Sequence, residues 1–173
     1  MEQAVKIRRA TVRDANLLAA LAAATNYETY FETDEPEDLA KYIVENFNPA
    51  ATKVELEDAD STIFLAEVNG KAVGFAKLRE NQPADCVKDE NVIELHRIYV
   101  LEKMTRHGIG VILMRQCLDE AKSKAFDALW LGVFDLNERA IRFYEKLGFE
   151  RVGEKGFYYD EKRFNCWVLK KDC

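Results

Sequence analysis

Apolar and polar positions along the chain fall into two rhythms, one of period two and one in which apolar residues return every three or four positions. "VKIRRAT" (5–11) alternates and predicts a strand, whereas "VRDANLLAALAAATNYETYF" (12–31) repeats Ala and Leu at helical spacing. "EPEDLAKYIVENFN" (35–48) predicts a second helix, with Pro36 in its first turn and acids near its start. "PAATKVELEDAD" (49–60) predicts a short third helix. "TIFLAEV" and "KAVGFAKLRE" flank Asn69-Gly70, the signature of a hairpin on a type I′ turn. "VIELHRIYV" (92–100) predicts a strand, Gly108 to Lys124 a helix, "ALWLGVF" (128–134) a strand, and "NERAIRFYEKLGF" a helix closed by Gly148. Two last strands, near 150–159 and 164–170, predict a hairpin. Helices gathered early and alternating with strands later predict a mixed α/β sheet. No repeat, low-complexity tract or linker divides the chain, so residues 1–173 read as a single domain.

Composition narrows the class. The 173 residues can bury a core of useful size, and 48% apolar with 32% charged residues is ordinary for a water-soluble globular protein. The apolar runs are too short for a bilayer and no signal peptide opens the chain, so a cytoplasmic location without membrane attachment is expected. Cys86, Cys117, Cys166 and Cys173 are scattered and only two histidines are present, which predicts neither a disulfide framework nor a metal site. A net charge of −6 argues against nucleic acid as a partner and is compatible with a cationic substrate.

The chemistry concentrates in "EKMTRHGIGVILMRQCLDEAK" (102–122), where basic Arg106 and His107 precede Gly108 and Gly110 at the mouth of a helix. Strand, basic loop, Gly-x-Gly and helix form an anion-binding order, because free N–H groups and the positive end of the helix dipole face the same point. Taken alone, the glycines fit a tight turn equally well. The spacing is not that of a Walker A loop, and Leu113 stands where a dinucleotide fingerprint has its third glycine.

"IELHRIYV", "RHGIGV", "LWLGVF" and "NERAIRFYEKLGFERVG" together resemble the GNAT superfamily of acetyl-CoA-dependent N-acetyltransferases. The resemblance implies a twisted mixed sheet of about seven strands, splayed where acetyl-CoA binds and flanked by helices. Its loop pattern, [QR]-x-x-G-x-[GA], is matched except at its first position, which is Thr105. Its second pattern is matched at Asn137, Ala140, Phe143, Tyr144, Gly148 and Phe149. The resemblance implies that backbone N–H groups of Arg106, His107, Gly108, Ile109, Gly110 and Val111 hold the pyrophosphate. It implies too that Ile98, Tyr99 and Val100 run beside the pantetheine arm, with Asn137 touching that arm and Lys146 meeting the adenosine-side phosphate. Tyr144 is then the acid that protonates the departing thiolate, although a Tyr beside a Phe is also a common core pair.

Strand alternation places Glu94, His96 and Ile98 on one face, so Glu94 and His96 are the candidate base. The alternative is a Glu94 carboxylate that simply pairs with Arg97 or a lysine on an adjoining strand. With "ELHRIYV", "HGIG", "LWLGVF", "ERAIRFYEKLGF" and "GEKGFYYD", the chain over nearly its full length also resembles the PaiA-like spermidine/spermine N-acetyltransferases, and this resemblance implies a small-molecule amine acceptor. Tyr27, Glu28, Tyr30 and Phe31, with Glu32, Asp34, Glu35, Glu37 and Asp38, are a set that could hold a polyammonium chain. They could also be a solvated acidic helix start. A protein N-terminal or lysine acetyltransferase, and a non-catalytic acetyl-CoA-binding module, are the other readings. A monomer or homodimer is expected.

Overall fold

A computed structural model describes residues 4–159 and 162–173. Seven strands join in one mixed sheet of order β1-β2-β3-β4-β5-β7-β6, with helices flanking it. The strands are β1 (Val5–Arg9), β2 (Ser61–Val68), β3 (Lys71–Arg79), β4 (Val92–Val100), β5 (Ala128–Phe134), β6 (Glu150–Tyr159) and β7 (Lys162–Asp172). The helices are α1 (Ala15–Tyr30), α2 (Pro36–Asn46), α3 (Pro49–Glu57), α4 (Ile109–Ser123) and α5 (Glu138–Lys146). The mixed α/β class expected from the sequence is therefore the class observed. Two compact units can be separated: the N-terminal segment through Leu78 with Arg97–Cys117, and Arg79–His96 with Leu118–Cys173.

In the first unit, β1 pairs antiparallel with β2 from Val5↔Val68 to Arg9↔Phe64. The β2–β3 hairpin turns on Asn69 (φ 51°) and Gly70 (φ 73°), the two left-handed residues that a type I′ turn requires. Leu18, Leu21 and Ala22 from α1 bury against Phe47, Ile63, Leu65 and Phe75, and this cluster supports Tyr99 and Leu101. Pro36 and Pro49 each sit in the first turn of their helix, and the Asn48 side chain accepts from the Ala51 N–H at 2.9 Å. The segment expected as one helix over 12–31 divides. Val12–Asp14 is a 3-10 turn, because the Asp14 carboxylate turns back to the Thr11 N–H at 2.8 Å and to Arg8.

In the second unit, β5 lies between two unlike neighbours. With β7 it is antiparallel along its whole length, from Ala128↔Asp172 to Phe134↔Cys166. With β4 it is parallel, from Val92↔Ala128 to Glu94↔Trp130, and Leu95 and His96 lie beyond that register. Trp130 is buried with Val92, Ala128 and Val168, and its indole N–H finds the Gln82 carbonyl at 2.9 Å. The helix α5 ends as its sequence predicts, on Gly148 at φ 85°.

Candidate active site

In the first unit, β4 leads through Leu101 into a 3-10 turn, Glu102–His107, which the sequence reading did not foresee. Thr105 is part of it, donating its hydroxyl to the Glu102 carbonyl at 2.9 Å. The residue that departs from the family pattern is thus spent inside the loop. Gly108 follows at φ 71°, with nothing within 4 Å of where a Cβ would stand. Backbone conformation, not a crowding neighbour, calls for glycine there. The Gly108 carbonyl accepts from the Val111 and Ile112 N–H groups, both at 3.1 Å. Val111, one of the expected pyrophosphate donors, is therefore engaged within the helix. Ile109 and Gly110 carry the N–H groups that a helix start leaves without an intrahelical acceptor. Arg106 and His107 are exposed beside them, and the His107 ring rests by its Nδ1 on the Met104 carbonyl at 3.3 Å. N–H groups without an intrahelical acceptor, a helix dipole and two basic side chains suit a diphosphate.

The strand before this loop is held from several sides. A Cβ on Gly74 in β3 would stand 2.8 Å from the Tyr99 carbonyl and 3.1 Å from Val100 Cγ2, so these backbones approach as only glycine permits. Arg97 gives Nη1 to both oxygens of Glu55 at 2.9 Å, and Lys77, 4% exposed, reaches the same carboxylate at 3.0 Å. The Tyr99 hydroxyl lies 3.4 Å from that of Tyr30. Ile98, Tyr99 and Val100 are half-buried. Of the expected acceptor-binding residues, Tyr27 and Phe31 stack in the open with centroids 6.3 Å apart. Glu28 instead turns its Oε2 to the Glu102 N–H at 2.9 Å, which ties the last turn of α1 to the start of the loop.

In the second unit, Glu94 is 4% exposed and its Oε2 meets Arg79 at 2.6 Å. Neither Arg97 nor a lysine is that partner, because β3 places Arg79 beside it and Arg97 belongs to Glu55. His96 is half-buried, with its Nδ1 fully covered. Asn137 caps α5, its Oδ1 accepting from the Ala140 N–H at 3.1 Å. In the same helix Tyr144 is 9% exposed and edge-on to Phe143 and Phe149, with centroids 5.3 and 5.8 Å away. Lys146 is exposed. Sequence reasoning missed Arg79, Glu55 and Gly74. A glycine inside the strand "KAVGFAK" was a readable sign of a close approach; the two ion-pair partners carried no sign.

A sheet carrying a basic Gly-x-Gly helix start after one strand and an Asn-capped "ERAIRFYEKLGF" helix after the next defines an acyl-CoA-using transferase. The profile of the Acetyltransferase (GNAT) family matches residues 19–149, and the chain belongs to that family. It is an acetyl-CoA-dependent N-acetyltransferase. An uncharacterised N-acetyltransferase of Mycobacterium bovis is 31% identical over 159 residues, covering 92% of this chain and 97% of its own. The streptothricin acetyltransferase of Streptomyces lavendulae is 30% identical over 165 residues, covering 86% and 82%. Among solved structures, the PaiA N-acetyltransferase of Thermoplasma acidophilum in complex with coenzyme A shares the fold, with a TM-score of 0.80. Its identity is 21%, over 98% of this chain and 99% of that one. Among the described residues no helix is long and apolar enough to cross a membrane.

Proposed function

We propose that this N-acetyltransferase acts on a primary amine of a small polycation of the spermidine or spermine type. The observation that carries the reading is the end of α1. Tyr27 and Phe31 are 54% and 51% exposed and stacked, and Glu32, Asp34 and Glu35 follow them, all exposed. Ring faces attract ammonium groups and carboxylates pair with them, so the two together suit a chain of positive charges. A different small amine is the second reading, favoured by the match to streptothricin acetyltransferase.

The thioester supplies the acetyl group. The loop N–H groups of Ile109 and Gly110, with Arg106 and His107, anchor the diphosphate. Gly108 and Val111 shape that anchor; Asn137 and Lys146 contact the pantetheine and adenosine-side phosphate. The strand Ile98, Tyr99 and Val100 holds the thioester extended, and a backbone N–H there polarises its carbonyl. Glu94 or His96, through water, takes the proton that the amine gives up as its N–C bond forms. Tyr144 donates its hydroxyl proton to sulfur as the C–S bond breaks. The same reading takes the chain as one catalytic domain, cytoplasmic, monomeric or homodimeric.

The test is acetyl-CoA turnover, followed by thiol release, against spermidine, spermine, putrescine, aminoglycosides and N-terminal peptides. Selective turnover of spermidine or spermine is expected. Activity confined to peptides, to aminoglycosides or to none of these would overturn the polyamine reading.

A further inference from the structure

The 3-10 turn Glu102–His107, which carries Arg106 and His107 into Gly108, starts without a cap of its own. Leu101 stands at the capping position, its side chain apolar and without a hydrogen bond to the turn. The first N–H groups of a helical turn need acceptors from outside it. Asn48 and Asn137 supply such an oxygen at the starts of α3 and α5. For Glu102 the oxygen comes from α1, 74 residues earlier in the chain: Glu28 Oε2 accepts its N–H at 2.9 Å.

The other main-chain group of Glu102 is held as well, since its carbonyl accepts the Thr105 hydroxyl at 2.9 Å. On the residue before it, the Leu101 N–H goes to the Val73 carbonyl at 2.9 Å, and the Leu101 carbonyl accepts the Met104 N–H at 2.8 Å. The start of the turn is thus tied to β3 and, through Glu28, to α1, while its other end runs into the left-handed Gly108. A carboxylate at the first N–H of a turn meets the favourable end of its dipole and makes a charge-assisted hydrogen bond. The same carboxylate would repel a diphosphate, so its use here is to hold the loop and not to touch the anion.

We propose that Glu28 is a positioning residue for coenzyme A: its carboxylate caps the turn from α1 and so sets the loop that carries the N–H groups of Ile109 and Gly110. The inference rests on the reading in which that loop anchors the diphosphate. It takes Glu28 out of the set that the sequence offers for a polyammonium chain and leaves Tyr27 and Phe31 in it. Glu28 is half-buried and its Oε2 already answers a backbone N–H, whereas Tyr27 and Phe31 on the same helix end are exposed.

Glu28→Ala removes the oxygen and keeps a strong helix former. Calorimetric titration with coenzyme A, with no amine present, is expected to give binding about tenfold weaker, as for one lost hydrogen bond. Glu28→Gln keeps an acceptor oxygen at the same reach and sheds a charge that repels the diphosphate. It should return the Kd to within about twofold of the parent's. In turnover of whichever amine the parent acetylates fastest, Glu28→Ala should raise the KM for acetyl-CoA and leave kcat and the amine KM where they were. An unchanged coenzyme A Kd in Glu28→Ala would overturn the proposal, and so would a Glu28→Gln variant as weak as Glu28→Ala. A rise confined to the amine KM would overturn it too and return Glu28 to the amine. If Glu28→Ala does not fold, Glu28→Met, which keeps the length of the side chain, decides by the same Kd. Weaker binding by Gly108→Ala beside normal binding by Glu28→Ala would strike this proposal and spare the loop; normal binding by both would strike the two together.

Discussion

At φ 71° Gly108 is the left-handed residue between the 3-10 turn and α4, and the placement of the helix-start N–H groups of Ile109 and Gly110 depends on that bend. Alanine there faces no steric neighbour but carries a conformational cost of about 1 kcal/mol. Gly108→Ala is therefore expected to stay folded and to bind coenzyme A roughly tenfold more weakly, as the loop relaxes away from its bend. Calorimetric titration with coenzyme A measures this, and an unaltered Kd would show that the bend is not what holds the diphosphate. Tyr144 poses the complementary case. Its ring is packed between Phe143 and Phe149, so Tyr144→Phe preserves the packing and removes only the hydroxyl. Loss of a general acid costs about a hundredfold or more in kcat, with coenzyme A affinity held. Normal turnover by that variant would return Tyr144 to the core and require another proton donor.

Between elements, the join of β1 to α1 rests on Arg8, which gripping Asp14 at 2.8 Å and Glu67 at 2.7 Å fixes the strand against both its helix and its partner strand. The Arg8 hydrogen bond is the largest influence that holds the Asp14 carboxyl down to about 2, from the ordinary 3.8. A folded-state value below the unfolded one gives stability that is complete above about pH 4 and is lost as pH falls toward 2. Asp14→Asn is expected to lose about 1–2 kcal/mol at neutral pH, and its deficit relative to the parent should shrink through that window. Urea unfolding at a series of pH values reads both; a deficit that is constant with pH would mean that the carboxylate's charge is not what counts. The strands and helices were legible because their apolar periods are long, and the Asn69-Gly70 turn because its chemistry is local. The 3-10 turn Glu102–His107 was not, since six residues are too few to show a period. Nor was the Arg79–Glu94 pair, or the grip of Glu55 on Arg97 and Lys77. Those depend on strand register and helix docking, which no local pattern records.

The whole molecule carries 31 acidic against 25 basic residues, and on the proposed reading its two substrates have opposite charge. A net negative field draws a polycation toward the protein and repels coenzyme A, whose binding must come from short-range contacts in the loop. Salt screens exposed charges beyond about 10 Å at 0.1 M, so the long-range attraction weakens as salt rises. For the proposed acceptors the loss should scale with the charge of the amine. The kcat/KM for spermine should fall most steeply with added sodium chloride, that for spermidine less, and that for a monoamine least. Viscosity-matched controls separate this from slower diffusion. If the acceptor binds through Tyr27, Phe31 and the carboxylates after them, replacing Glu32 and Glu35 by glutamine should flatten the spermine slope and leave the monoamine slope where it was. Equal slopes for all three amines would mean that charge plays no part in choosing the acceptor, and the exposed acids of α1 and the turn after it would then serve only as a solvated surface.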